Sequence, residues 1–219
     1  MRNLYTNGCS YVWGDELEDR RDAFPHLLKT KLGCELTDDS KCGSDNQRIM
    51  RTTLTADLKN HFVIIGWASI IRYEYYDKSY ISEGIDLVPG WESNIGSRFE
   101  KYPEIHKYFE YDWFVVNFLN QVLVLQNYLK YNNIPFFFFM SYPMYKDQNV
   151  DYLEHFDLID ESTFPSLFNE DLEFFTYCKN NGLNDFMPNW HPSPRQHKLW
   201  SEYLYEKINT NNNFTRSKK

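Results

Sequence analysis

Two short phrases near opposite ends of the chain carry residue types that do acyl chemistry. They are Asn7-Gly8-Cys9-Ser10 and Asn189-Trp190-His191-Pro192-Ser193. A serine hydroxyl is a weak nucleophile until a base takes its proton, and an imidazole is the usual base. Leu4-Tyr5-Thr6 ahead of the first phrase reads as a strand, so Ser10 stands beyond its carboxyl end, where open parallel sheets bind ligands. Gly8 frees the backbone to turn there, and the Ser10 amide is a candidate donor to a developing oxyanion. The plainer use of Ser10 is to cap a turn or helix. His191 precedes Pro192 and is biased toward extended backbone. Ser193 then serves as N-cap and Pro194 as the first residue of a helix running to Ile208. A histidine satisfied by backbone is the plainer alternative. Cys9 is a rival nucleophile, but neighbouring side chains of an extended segment face opposite ways, so only one of the two can meet His191. His191 and His197 form a further candidate pair, for a metal, without a clear carboxylate partner; the prediction is no metal and no cofactor.

Taken in order, the phrases resemble the blocks of the SGNH, or GDSL-like, hydrolase superfamily, in a compact branch found in bacteriophage and bacterial genomes. Gly8-Cys9-Ser10-Tyr11-Val12-Trp13-Gly14 is similar to the first block, whose serine is the nucleophile and whose amide joins the oxyanion hole. Gly43-Ser44-Asp45-Asn46 resembles the second, whose glycine amide is another oxyanion donor. Val63-Ile64-Ile65-Gly66-Trp67-Ala68-Ser69, followed by Arg72 and Glu74, resembles the third, and His191-Pro192-Ser193 with His197 the last. The resemblance implies a three-layer α/β/α sandwich of flavodoxin-like type with a mainly parallel sheet. It also implies a serine esterase working through an acyl-serine intermediate on a small ester or an acylated glycan. Ser10 and His191 are then catalytic, with Ser10, Gly43 and Asn46 around the oxyanion and Trp67, Ser69, Arg72 and Glu74 at the substrate. Arg72 and Glu74 have a plainer use as a mutual ion pair.

Two positions depart from that pattern. Trp67-Ala68-Ser69 stands where the superfamily has an oxyanion asparagine, which moves the expectation to Asn46. Pro188 and Asn189 stand where it has an aspartate before the histidine, so Asp185 becomes the candidate acid, with a backbone carbonyl as the other way to orient the ring. An absent aspartate costs about 10⁴ in turnover where measured in serine proteases, and an absent oxyanion donor about 10² to 10³. The alternative reading is therefore a weak or inactive module that binds glycan or serves as a virus-encoded structural part.

The elements that must position these residues follow from composition and period. The chain has 219 residues, 42% hydrophobic, with 17 Tyr, 17 Phe and 6 Trp, enough for one domain with a largely aromatic core. A net charge of −8 without a basic stripe argues against nucleic acid. The early polar residues Asn3, Thr6 and Asn7 argue against a leader peptide, and Ile134 to Met140 is too short to span a bilayer, so a cytoplasmic location and a reducing compartment for the four cysteines are expected. Strands are predicted at Leu4–Thr6, Cys34–Leu36, His61–Trp67 and Ile134–Ser141. Helices are predicted at Phe24–Leu32 with a Gly33 stop, at Asp45–Leu58, at Phe109–Tyr131, at Ser166–Cys178 and after Pro194. Asp15 to Asp22 reads as a solvated loop. Segments of about 76–108 and 147–180 read as insertions in a domain of residues 1–208, and 209–219 as a disordered tail. Strand and helix alternate, which implies a parallel sheet with helices on both faces.

Overall fold

The computed structural model describes residues 3–70, 72, 111–143 and 153–210. Four strands, β1 (Asn3–Gly8), β2 (Leu36–Asp38), β3 (His61–Trp67) and β4 (Phe136–Met140), form one parallel sheet in the order β2-β1-β3-β4. The inner strands are unbroken runs such as Phe62-Val63-Ile64-Ile65, buried on both faces, as a sheet covered by helices requires. In this order the chain leaves β1 for one neighbour and returns to the other, which opens a crevice at the carboxyl ends of β1 and β3. Gly8 pairs with Gly66 there, so Ser10 and the Ala68–Ser69 turn leave the sheet side by side.

Among the described residues seven helices accompany the sheet: α1 (Ser10–Trp13), α2 (Phe24–Leu32), α3 (Asn46–Thr55), α4 (Tyr111–Tyr131), α5 (Leu153–Phe156), α6 (Phe174–Asn180) and α7 (Pro194–Thr210). Helices α2 and α7 pack together, as do α3 and α4, giving the predicted three layers. The strand period sorts the side chains between them. Phe139 meets Phe24 of α2 and Trp200 of α7, at ring separations of 5.8 and 5.0 Å. Trp67 instead points to the other layer, 5.7 Å from Phe118 of α4.

Helix ends follow the local sequence. Gly33 closes α2 in the left-handed region at φ 62°, and the Asp45 side chain accepts the Arg48 N–H at the start of α3. Ser193 and Gln196 form a reciprocal capping box at the start of α7: Ser193 N–H donates to Gln196 Oε1 at 2.8 Å and Gln196 N–H to Ser193 Oγ at 3.3 Å. Two predicted elements are displaced. β2 begins at Leu36 because the Cys34 N–H is still closing α2 on the Lys29 carbonyl. The helix predicted over Ser166–Cys178 is two single 3₁₀ turns followed by α6. Ser166 is drawn to the edge of the sheet, where its Oγ accepts the Met140 N–H, and the Thr163 carbonyl accepts that of Phe138. The later part of the second predicted insertion thus covers the β4 edge and places Phe164 in the core. The first predicted insertion, 76–108, lies outside the described residues.

Candidate functional site

Ser10 is the first residue of α1, and Cys9, with extended backbone, is its N-cap. The Ser10 amide therefore has no partner one turn back in the helix. Its carbonyl accepts the Gly14 and Asp15 N–H groups, each at 3.0 Å, which ends the helix and turns the chain outward as a loop carrying Asp15 and Glu16. Both Ser10 and Cys9 are buried, and among the described residues the Ser10 hydroxyl makes no hydrogen bond.

The His191 loop docks directly onto this helix. Tyr11 Oη donates to the Trp190 carbonyl at 2.7 Å, and the Tyr11 and His191 rings lie 5.8 Å apart. The Met187 N–H donates to the His191 carbonyl and the Trp190 N–H to the Met187 carbonyl, both at 2.9 Å, forming a closed turn. Trp190 holds a left-handed φ of 65° inside it, a conformation that is strained for so bulky a side chain. The two phrases singled out in the sequence are thus brought to one rim of the sheet.

The His191 ring lies between two carboxylates. Its Nδ1 is 2.8 Å from Glu16 Oε2, and its Nε2 is 3.6 Å from Asp15 Oδ2. The Glu16 carboxylate also accepts from Asn189, at 2.7 Å from Nδ2 to Oε1 and at 3.1 Å from the backbone N–H to Oε2. Partial burial raises its pKa, but the hydrogen bonds from His191 and Asn189 outweigh that and hold the carboxyl below its ordinary value. A carboxylate only accepts, so Nδ1 carries the proton of neutral His191 and Nε2 carries the lone pair. Cys42 completes the cluster by donating its thiol to Asp15 Oδ2 at 2.9 Å. Burial, then the Asp15 carboxylate, pushes that thiol up to about 12, so it is protonated at neutral pH and is not a nucleophile.

The other predicted site residues divide. Gly43 holds a left-handed φ of 77° in the turn before α3, where a glycine is required. Arg72 lies half-buried, its Nη1 donating to the Ser44 carbonyl at 3.3 Å and its buried Nε without a partner among the described residues. Ser69 is half-buried, and its carbonyl accepts from Arg72 N–H. Glu74 lies outside the described residues. Three assignments are revised. Asp185 is engaged elsewhere: it accepts from Ser193 Oγ at 3.2 Å and lies 3.8 Å from Arg195. Asn46 commits its side chain to the end of β3. Its Oδ1 accepts the Ala68 N–H at 2.8 Å and its Nδ2 donates to the Ala68 carbonyl at 3.2 Å, so it is not free to meet an oxyanion. Trp67 is fully buried among Phe118 and Phe138, because its register turns it under α4 rather than toward the crevice. His197 is no partner for His191 in a metal site either. Its Nδ1 accepts the Phe24 N–H at 3.1 Å, and its ring is enclosed by Phe24 and Phe174.

Sequence reasoning missed Glu16 by placing Asp15 to Asp22 in a solvated loop. The run is charged, but α1 and Arg20 fold it back. Arg20 stacks 3.1 Å over the Trp13 ring, donates to the Trp13 carbonyl and pairs with Asp38 at 2.9 Å. The available signal was the missing acid before His191, which required a carboxylate from another segment. Among the described residues no trio of His, Cys, Asp or Glu is arranged to hold a metal ion, and no helix is long and apolar enough to cross a membrane.

Known proteins fit this architecture by shape rather than by sequence. A G-D-S-L-family protein from Desulfitobacterium hafniense, assigned as lipolytic, superposes with a TM-score of 0.55 at 14% identity, over 94% of this chain and 99% of its own. The psychrotrophic esterase EstA of Pseudoalteromonas superposes with a TM-score of 0.52 at 14% identity, over 96% and 98%. A family two carbohydrate esterase of Clostridium thermocellum, solved with cellohexaose, gives 0.51 at 13%, over 97% of this chain and 65% of that one. A search of curated proteins finds no sequence match. The fold is thus that of the SGNH, or GDSL-like, hydrolases, and a family model spanning residues 14–218 shows by sequence that the chain belongs to DUF6071, a family of unknown function.

Proposed function

We propose that this protein is a serine ester hydrolase. Ser10 attacks an ester carbonyl, His191 takes the hydroxyl proton through Nε2 and returns it to the departing alcohol, and water then hydrolyses the acyl-serine with His191 as base. The backbone amides of Ser10 and Gly43 hold the oxyanion. Arg72 and Ser69 border the substrate, which we take to be a small ester or an O-acetylated carbohydrate. The observation that carries this reading is the bond from Tyr11 Oη to the Trp190 carbonyl, since it fixes the neighbour of Ser10 to the neighbour of His191. Nε2 lies 3.6 Å from Asp15 Oδ2, beyond hydrogen-bonding distance, so its lone pair is left for the serine proton while Nδ1 stays on Glu16. Apo catalytic hydrogen bonds are commonly incomplete in this way.

The test is hydrolysis of p-nitrophenyl acetate and acetylated glycans, together with covalent labelling by a fluorophosphonate. Wild type is expected to turn over and to be labelled, and Ser10→Ala to lose both; a variant as active as wild type removes Ser10 from the chemistry. The facing of Nε2 toward Asp15 favours one second reading, a binding module without turnover, for which glycan-array binding by unlabelled protein is the expected result.

A further inference from the structure

We propose that Glu16 is the residue that orients and charges His191, so that the nucleophile and the acid of this site come from the same stretch of chain, residues 10–16. The inference rests on the serine reading above and adds its missing third member. A catalytic histidine needs its far nitrogen held, both to fix the tautomer and to stabilise the imidazolium that forms when it takes the serine proton. Four titratable groups face or approach the ring: Asp15 and Glu16 from the loop after α1, Tyr11 from α1, and His197 from α7. Tyr11 turns its hydroxyl to the Trp190 carbonyl, and His197 spends Nδ1 on Phe24. Asp15 sits on Nε2, the nitrogen that must be given up to the serine, and at 3.6 Å rather than 2.8 Å. Glu16 alone takes Nδ1.

The loop is built to hold it there. Glu16 has a left-handed φ of 66°, which a side chain beyond glycine adopts only when its surroundings impose it. Those surroundings are the α1 terminus on one side and Asn189 on the other, whose side-chain amide holds Oε1 while its backbone N–H shares Oε2 with His191. Glu16 touches neither substrate nor oxyanion in this scheme. It is a positioning residue, acting through the imidazole.

The experiment compares Glu16→Gln, Asp185→Asn and Ser10→Ala for ester hydrolysis across pH. Gln keeps the shape and the acceptor for Asn189, so the fold is retained. Glu16→Gln is expected to lower kcat about 10²- to 10⁴-fold and to move the acid limb of the rate profile to lower pH. Asp185→Asn is expected to leave both in place. Hydrolysis abolished by Ser10→Ala but unchanged in rate and in pH profile by Glu16→Gln overturns the assignment of Glu16 alone. Hydrolysis untouched by Ser10→Ala overturns the serine reading itself.

Discussion

At the scale of single residues, the proposed site separates groups assigned to react from groups that hold. Asn46 is buried, and it offers Ala68 the same pair of hydrogen bonds a neighbouring strand would. Asn46→Ala would leave that N–H and carbonyl without partners, at a cost of about 1–3 kcal/mol. The expected outcome is a lowered midpoint in urea denaturation. An oxyanion donor would behave differently, losing about 10²- to 10³-fold in turnover at unchanged stability, so the two measurements together decide the role. The residues legible in the sequence were those whose neighbours constrain them. Ser10 after Gly8, and His191 before Pro192 and its capping box, announced their own backbone geometry. Glu16 did not, because its partner lies 175 residues away and a charged run after a tight turn ordinarily faces water.

At the scale of elements, the junction of β1, β3 and α1 sets where Ser10 stands. Gly8 and Gly66 pair across the sheet and leave a hollow that Val12 of α1 fills. A Cβ on Gly66 would collide with Val12 Cγ2 and stand 2.7 Å from Phe139 Cζ. Gly66→Ala is therefore expected to destabilise by about 1–3 kcal/mol, as overpacking does, and to push α1 outward, lowering hydrolysis as well. Val12→Ala in the same chain empties the hollow and is expected to recover part of the loss, a coupling that thermal melts of the single and double variants would measure. Strand and helix identities were readable from period and composition, since Phe62 to Ile65 admits no amphipathic helix and Gly33 and Ser193 mark helix ends. The stretch from Phe164 to Leu172 was not. Its aromatics fit a helical period, but backbone bonding to the edge of β4 holds them in short turns instead.

At the scale of the whole molecule, α2 and α7 are sealed by a histidine that must stay neutral. Complete burial drives the His197 pKa down to about 3, with the charge of His191 a smaller contribution. The unfolded chain binds this proton at its ordinary pKa of about 6.5, so the associated stability is complete above that value. It is lost as pH falls toward 3, at up to about 1.4 kcal/mol per pH unit. His197→Asn, whose Oδ1 can accept the Phe24 N–H in place of Nδ1, is expected to flatten that acid slope. Denaturant melts between pH 4 and 7 would show it, and an unchanged slope would mean that other groups set the acid limit. The layered plan was foreseeable because alternating strands and helices leave few topologies.

The bond from Tyr11 to Trp190 joins positions 179 apart, spanning most of the polypeptide. On the serine reading proposed above, Ser10 has no base until the His191 loop docks onto α1, so a variant cut before Met187 is expected to show no hydrolysis at all rather than slower hydrolysis.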